Sequence, residues 1–243
     1  MQSALYVGLS AQIALEKRLQ TIANNVANVN TAAFRTDVVK FETVLSRAGT
    51  SPVAFSSPGD NIISRETGTV TETGNPLDVA VVGQGWLAFA GPNGTVYTRD
   101  GRLQIAPNGD LQTVNGFPVV GPGGAQIIID PNGGPLSIAA NGTITQDGTE
   151  VGTLGLFTIS ADANLQRYGN SGVIPDRPAT AVLDYTRDGF RQNYVEGSGA
   201  NPMLELTRLI SASRAFEATN TLMEGTESSM QNAIRTLGEP AKS

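Results

Sequence analysis

Cysteine and histidine are both absent from the 243 residues of this chain. Without cysteine there is no disulfide, no thiolate nucleophile and no cysteine metal site. Without histidine the commonest general base and the commonest transition-metal ligand are missing. Charge is scarce as well: charged residues make up 16% of the chain, against roughly 25% in ordinary globular proteins. The formal net charge of −6 argues against nucleic acid as a partner. No apolar run approaches the ~18 residues needed to span a bilayer. Glu16, Lys17 and Arg18 stand where a secretory signal peptide would place its apolar centre. The chain is therefore expected to be neither membrane-inserted nor directed to the general secretory route. Its 40% apolar share is enough for a core, in one large or two modest domains.

Glycine and proline are nearly missing from the ends. The first 48 residues hold only Gly8 and no proline, and the last 42 hold only Pro202, Gly225, Gly238 and Pro240. Between Gly49 and Gly199 both recur every few residues, so two helix-compatible ends enclose a turn-rich middle. In that middle Asn-Gly begins at positions 93, 108, 115, 132 and 141, and Asp-Gly at 100, 147 and 188. These dipeptides are the strongest short-range hairpin signal. Trp86 to Ala90 is expected to pair with Thr95 to Arg99, and Ser137 to Ala139 with Thr143 to Gln146. The middle reads as an all-β barrel or sandwich.

At the front, Leu15, Leu19, Ile22, Val26 and Val29 follow a 4-3-4-3 spacing that lines one helix face. At the back, Leu209, Phe216, Met223, Met230 and Leu237 repeat every seven residues. Three positions after the first four come the small residues Ala212, Thr219, Thr226 and Ala233, so another helix can approach closely. Gly225 and Ser228 point away from this seam. A helix from about Met203 to Leu237 would be roughly 50 Å long. Either the terminal helices pair only with each other, or they also assemble with other chains.

Asn24, Asn25, Asn28 and Asn30 are poor helix formers crowded into seven positions. On a helical wheel Asn25 and Asn30 flank the apolar stripe while Asn24 and Asn28 lie around the back. Amides so placed suit a helix with neighbours on several sides; the alternative is a solvated, fraying helix end.

The stretch "ANNVANVNTAAFR" is similar to the amino-terminal signature of bacterial flagellar axial proteins, the rod and hook subunits. "GNPLDVAVVGQGWLAF" (Gly74 to Phe89) and "YTRDGRLQIAPNGDLQTVNGFPVVG" (Tyr97 to Gly121) resemble the first β segments of that family. "NPMLELTRLISASRAFEATNTLM" (Asn201 to Met223) resembles its carboxy-terminal helix. The likeness covers both ends and the centre in the family's order. The opening residues and modest length resemble a proximal rod subunit most, with a distal rod subunit as the alternative. One departure stands out: Ala33 replaces the family's usual glycine before Phe34 and Arg35, so a helical or extended backbone is expected there, not a tight turn of positive φ.

The resemblance implies an α+β fold in which long N- and C-terminal helices pair as a coiled-coil-like helical domain, with a central all-β domain (barrel or sandwich) lying outside the inner tube that the helices form. The expected boundaries are 1–35 for the first helix, 36–75 for an extended linker, 76–199 for the β domain and 200–238 for the last helix. It further implies a structural subunit polymerising through its terminal helices into a drive shaft and export channel that transmits torque for motility. Its partners would be other copies of itself, other rod subunits and the flagellar export apparatus, which would pass it without a cleaved signal peptide. The implied assembly interface comprises Leu15, Leu19, Ile22, Asn24, Asn25, Val26, Asn28, Val29, Asn30, Phe34 and Arg35 at the front. At the back it comprises Leu209, Arg214, Phe216, Asn220, Met223, Met230 and Leu237. No cofactor, metal, nucleic acid or small-molecule substrate is expected.

Two other classes compete. An enzyme would draw on the Asp-Gly sites and on "VVGQG" at Val81 to Gly85, but Gly83 and Gly85 lack the following helix and third glycine of a phosphate loop. Asp130 and Asn132 in "DPNGG" lack the complete loop of a calcium site and fit turn chemistry. A secreted β-rich adhesin would show surface aromatics, whereas the one tryptophan, Trp86, lies in a run that reads as core.

Overall fold

The computed structural model describes residues 2–46 and 53–238. Two α-helices stand at its ends: α1, Gln2–Ala27, of 26 residues, and α2, Pro202–Gly238, of 37. The start of α2 follows from local chemistry. The Asn201 side-chain oxygen accepts hydrogen bonds from the backbone N–H groups of Met203 (3.1 Å) and Leu204 (3.2 Å). Pro202 occupies the first helical position, where no N–H is needed. Glu205 in the first turn and Arg235 in the last complement the helix dipole.

The chain divides into two compact units. The first gathers the described residues among 1–27, 37–62 and 201–243. Within it α1 and α2 contact each other, and α1 also contacts the strand Asp37–Ser46, which pairs with Val53–Ile63. The helices are antiparallel. Gly8, early in α1, is so close to α2 that a Cβ there would lie 3.2 Å from Met223 Cγ. At the other end Asn25 meets Glu205.

The second unit holds residues 28–36 and 63–200. Its largest sheet has six strands in the spatial order Leu165–Tyr168, Gly172–Pro175, Gly94–Thr98, Trp86–Gly91, Leu156–Thr158, Thr180–Ala181. A three-stranded sheet orders Thr149–Thr153, Thr143–Gln146, Leu136–Ile138. Two-stranded ladders pair Gly189–Gln192 with Val79–Val82, Tyr194–Glu196 with Val70–Glu72, and Leu103–Ile105 with Leu111–Thr113. Both hairpins expected from Asn-Gly pairs are present: Ala88 faces Tyr97 and Phe89 faces Val96 in one, and Ile138 faces Ile144 in the other. Between Gln146 and Thr149, Asp147 (φ +51°) and Gly148 (φ +77°) form the two-residue turn with both central residues left-handed that antiparallel twist favours.

The expected fold class is corrected by this architecture. In place of a coiled-coil-like helical domain and a barrel or sandwich, there are two terminal helices, which share their unit with a strand pair, and a large antiparallel β region split among separate sheets. The reason lies in strand length. Turn residues recur so often that many strands have three or four residues, too short to curl into a closed barrel. Burial is achieved by pooling: Leu87 and Leu156 of the six-stranded sheet, Ile138 and Ile144 of the three-stranded one, and Val79, Val81, Leu103, Leu111 and Phe190 of the ladders share one apolar cluster. Residues 36–75, expected as an extended linker, contain the strands Asp37–Ser46, Val53–Ile63 and Val70–Glu72.

Close backbone approach makes the glycines unequal. A Cβ on Gly101 would fall 1.7 Å from the Val79 carbonyl oxygen, whose strand it supports by accepting the Val79 N–H, whereas at Gly123 nothing lies within 4 Å. Gly101→Ala should lower stability by about 2–3 kcal/mol through forced backbone displacement. Gly123→Ala should leave the thermal midpoint of the purified chain nearly unchanged. Equal midpoints for the two variants in calorimetry would refute this packing.

Candidate assembly interface

The asparagine-rich segment is divided between the two units, residues 21–27 belonging to the first and 28–35 to the second. Asn25 is 2% exposed and completes a hydrogen-bonded node. Its Nδ2 donates to the Asp37 carbonyl (3.0 Å) and its Oδ1 accepts the Asp37 N–H (2.9 Å), so one amide side chain stands in for a strand neighbour at the beginning of Asp37–Ser46. The same Nδ2 reaches the Glu205 carboxylate at 3.3 Å. Glu205 is buried and also accepts from Arg208 Nη1 at 2.5 Å. Asn24, on the exposed side, donates to Asp37 Oδ2 at 3.1 Å. Asn28 Oδ1 accepts from the Thr31 hydroxyl (3.0 Å) in the turn after α1, while Asn30 is exposed. Three of the four asparagines thus have partners within the chain.

Where the helices meet, Ile22 is buried and Leu15, Leu19 and Val26 are half-buried on α1; Val29, beyond its end, is half-buried in the second unit. On α2 Leu209, Phe216, Met223 and Met230 are half-buried and Ala212 is buried, so the seven-residue series marks the inward face. Asn220 lies on this side with its Oδ1 buried and without a hydrogen-bond partner. Arg214 is exposed; the side chain of Leu237 lies outside the described set.

Phe34 and Arg35 are both about 1% exposed and lie in the second unit. The Arg35 guanidinium contacts Glu196 (Nη2 to Oε1, 2.8 Å), donates to the Glu66 carbonyl and lies 5.6 Å from the Trp86 ring centre. Arg99 takes the other carboxylate oxygen at 2.6 Å and spends its remaining donors on the carbonyls of Val81, Gly83 and Gly85 at 2.7–2.8 Å. The glycine-rich "VVGQG" therefore receives an arginine from its own chain. Glu196, 0% exposed, also accepts the Gly68 N–H at 3.2 Å. Burial pushes the Arg35 guanidinium below its ordinary value, Glu196 opposes that shift and Arg99 adds to it. Arg167 stacks on Phe34 (4.6 Å) and donates to the Arg35 carbonyl at 2.5 Å.

Ala33 departs from expectation: its φ is +54°, left-handed, not helical or extended. Its N–H bonds the Glu196 carbonyl (2.9 Å) and the next carbonyl, of Phe34, accepts from Gly199 (2.8 Å), so both flanks are held by the segment around Glu196. Those bonds offset the roughly 1–2 kcal/mol that a Cβ costs in this conformation.

Glu196, Arg99, Asp37 and Glu205 are central residues that sequence reasoning missed. Local pattern gives no sign of a carboxylate 97 residues from one partner, though Glu205 is legible as an acid in a helical first turn. The arrangement is a mechanical clamp whose donors and acceptors are matched to one another except for Arg35 Nε, which is buried without a hydrogen-bond partner. Among the described residues no group of acids is placed to hold a metal ion. Glu196→Ala should cost about 3–5 kcal/mol, because it strands two buried cations. Thermal unfolding of that variant within a degree or two of the parent would contradict the clamp.

Comparison with known proteins agrees with this geometry. Residues 5–35 match the family model described as flagella basal body rod protein, residues 80–146 the flagellar hook protein FlgE/F/G D1 domain, and residues 191–236 the flagellar basal body rod FlgEFG protein C-terminal. A flagellar basal-body rod protein FlgF of Mesorhizobium japonicum is 49% identical over 98% of this chain and 99% of its own length. Proteins of the same name from Rhizobium meliloti and Caulobacter vibrioides are 40% and 34% identical, each over 98% of this chain and 99% of their own lengths. All three carry the FlgF name, which leaves the distal-rod alternative with less support. With relatives 34–49% identical over 98% of its length, the chain belongs to the flagellar basal-body rod protein family.

Proposed function

We propose that this structural subunit of the flagellar basal-body rod polymerises through the outward faces of α1 and α2, in the FlgF-like, proximal part of the rod. The observation that carries this reading is a second apolar stripe on each helix. Tyr6, Leu9 and Ile13 on α1 are 59%, 43% and 49% exposed, and Met203, Leu206 and Ile210 on α2 are 73%, 43% and 54% exposed. Both sets follow an i, i+3, i+7 spacing and so share a face on their own helix. Each face lies away from the residues by which α1 and α2 meet. A helix apolar on more than one side belongs in the interior of an assembly.

Arg214, exposed and one turn after Ile210, supplies a polar contact beside the α2 stripe. Contacts of this kind join unlike surfaces, so they propagate as an open helical array. The subunit works by packing, without turnover: it carries torque along the shaft, and the array encloses the export path. Its neighbours are other copies and other rod subunits. It reaches them through the flagellar export apparatus.

Ile210→Lys tests the outward face while sparing the inward one. The lysine forfeits the ~2 kcal/mol of a buried aliphatic side chain at every repeat of the contact. The expected outcome is a normally folded monomer by circular dichroism, with loss of intact basal bodies in electron micrographs and loss of swimming. Ile210→Leu should retain both. Full motility with Ile210→Lys would overturn the proposal that α2 assembles through this face.

A further inference from the structure

Within the second unit, the turn between Leu165–Tyr168 and Gly172–Pro175 borders a cavity of about 280 Å³ that reaches across the six-stranded sheet to Phe89. Small-molecule sites usually measure about 300–1,000 Å³, so the space suits a single ring. Three aromatic side chains line it. Phe89 stacks on Phe117 with centroids 5.4 Å apart, and Tyr168 meets Phe117 edge-on at 6.2 Å. Phe117 and Tyr168 are half-buried, so neither ring is spent wholly on the core.

Most of the remaining lining is polar. Asn115 and Asn170 are exposed, and among the described residues neither side-chain amide hydrogen-bonds to another group of the chain; nor does the Tyr168 hydroxyl. The other polar groups are already engaged. Asp100 accepts from Arg102 at 2.8 and 2.7 Å, and the Thr98 hydroxyl donates to the Ser171 carbonyl at 3.1 Å. Gly169 brings no side chain, and a Cβ there would meet nothing within 4 Å, so the approach beside Tyr168 is open.

We infer that this cavity binds a neutral sugar ring, a pyranose, either as a free saccharide or as one unit of a glycan. A pyranose has a face of C–H groups that packs on aromatic rings, and a rim of hydroxyls that are donors and acceptors at once, as the two amides and the phenol are. Other occupants match less of the lining. Among the described residues that line the cavity there is no lysine or arginine, and the Asp100 carboxylate repels an anion, which disfavours phosphates and nucleotides. An aliphatic side chain would cover the amides and the phenol without pairing them. The inference goes beyond the rod-subunit reading and does not rest on it.

Amide NMR of the isotope-labelled full chain, titrated with methyl glucoside or N-acetylglucosamine at millimolar concentration, tests the site. The amides of Asn115, Gly169 and Asn170 should shift saturably with at least one of these sugars. Asn115→Ala and Asn170→Ala, each at an exposed position, should weaken that binding roughly three- to tenfold, as loss of one hydrogen bond does. Tyr168→Leu should abolish it, and the two asparagine variants carry the test if losing that ring unfolds the sheet edge. Maltotriose and chitotriose distinguish the source: binding about tenfold tighter than the single ring assigns a glycan chain, and equal binding a free saccharide. No saturable shift with either sugar, equal shifts with adenosine, or binding undiminished in both asparagine variants overturns the inference.

Discussion

The Glu196 carboxylate is the point on which the second unit depends. It is fully buried, and a buried carboxylate persists as an anion only when its oxygens are matched by cations and N–H groups. Arg35 and Arg99 take one oxygen each, and Gly68 adds an N–H. These residues come from near the front of the chain, from the end of a central hairpin and from the segment before that hairpin. Arg99 then reaches the carbonyls of Val81, Gly83 and Gly85, tying the anion to the turn that introduces Trp86–Gly91. Withdrawing Glu196 leaves two buried guanidiniums without their counter-ion, held only by backbone carbonyls. Replacing such a cluster by apolar residues is often neutral or stabilising; what an apolar core lacks is the requirement that one backbone arrangement satisfy every donor.

Local chemistry was legible in the sequence. Asp147-Gly148 dictates its own turn, and the hairpin of Trp86–Gly91 with Gly94–Thr98 lies where Asn93-Gly94 marks it, although Pro92 and Asn93 occupy the turn and Gly94 pairs with Gly91. The seven-residue series on α2 was read as an assembly seam, and its described members lie half-buried on the face toward α1; that they share one face was legible because helix period is a property of neighbouring residues. Long-range matching was not legible. Asn25 meets Glu205 across 180 residues, and Arg99 meets Glu196 across 97. Nothing near any of them in sequence distinguishes a clamp from a solvated charge. The same limit explains the fold class: a barrel or sandwich was expected from the turn dipeptides, but turns alone do not say which strands share a sheet. The 13-residue core cluster is drawn from several of them.

Ala33 shows how long-range bonding overrides a local preference. Taken alone, alanine favours the right-handed helix, and α1 ends only a few residues earlier. The backbone N–H of Ala33 is claimed by Glu196, and the Phe34 carbonyl by Gly199. Between these two anchors the chain must turn to bury both Phe34 and the Arg35 guanidinium, and the left-handed conformation does so within one residue. Glycine would adopt it freely. Alanine adopts it because the alternative leaves buried polar groups unpaired, at about 1–3 kcal/mol each. The strain therefore measures the strength of the anchors, not a weakness of the turn.

The asparagines invert the usual relation between a helix and its cap. A capping side chain normally satisfies the end of its own helix, but Asn25 spends its amide on the backbone of Asp37 and on a carboxylate of the other helix. An apolar residue at that position would leave the Asp37 N–H and carbonyl, both at the buried start of a strand, without those partners. Glutamine, one methylene longer, would displace the paired bonds that mimic a ladder. Only a side chain with an amide's two N–H donors and one acceptor at this reach fits all three bonds. Helix propensity is surrendered at a single position so that α1, α2 and the first strand share one register, and the outward apolar stripes then emerge at fixed places on each helix. The proposed assembly through these stripes needs that fixity, because a small error in register would be repeated at every contact.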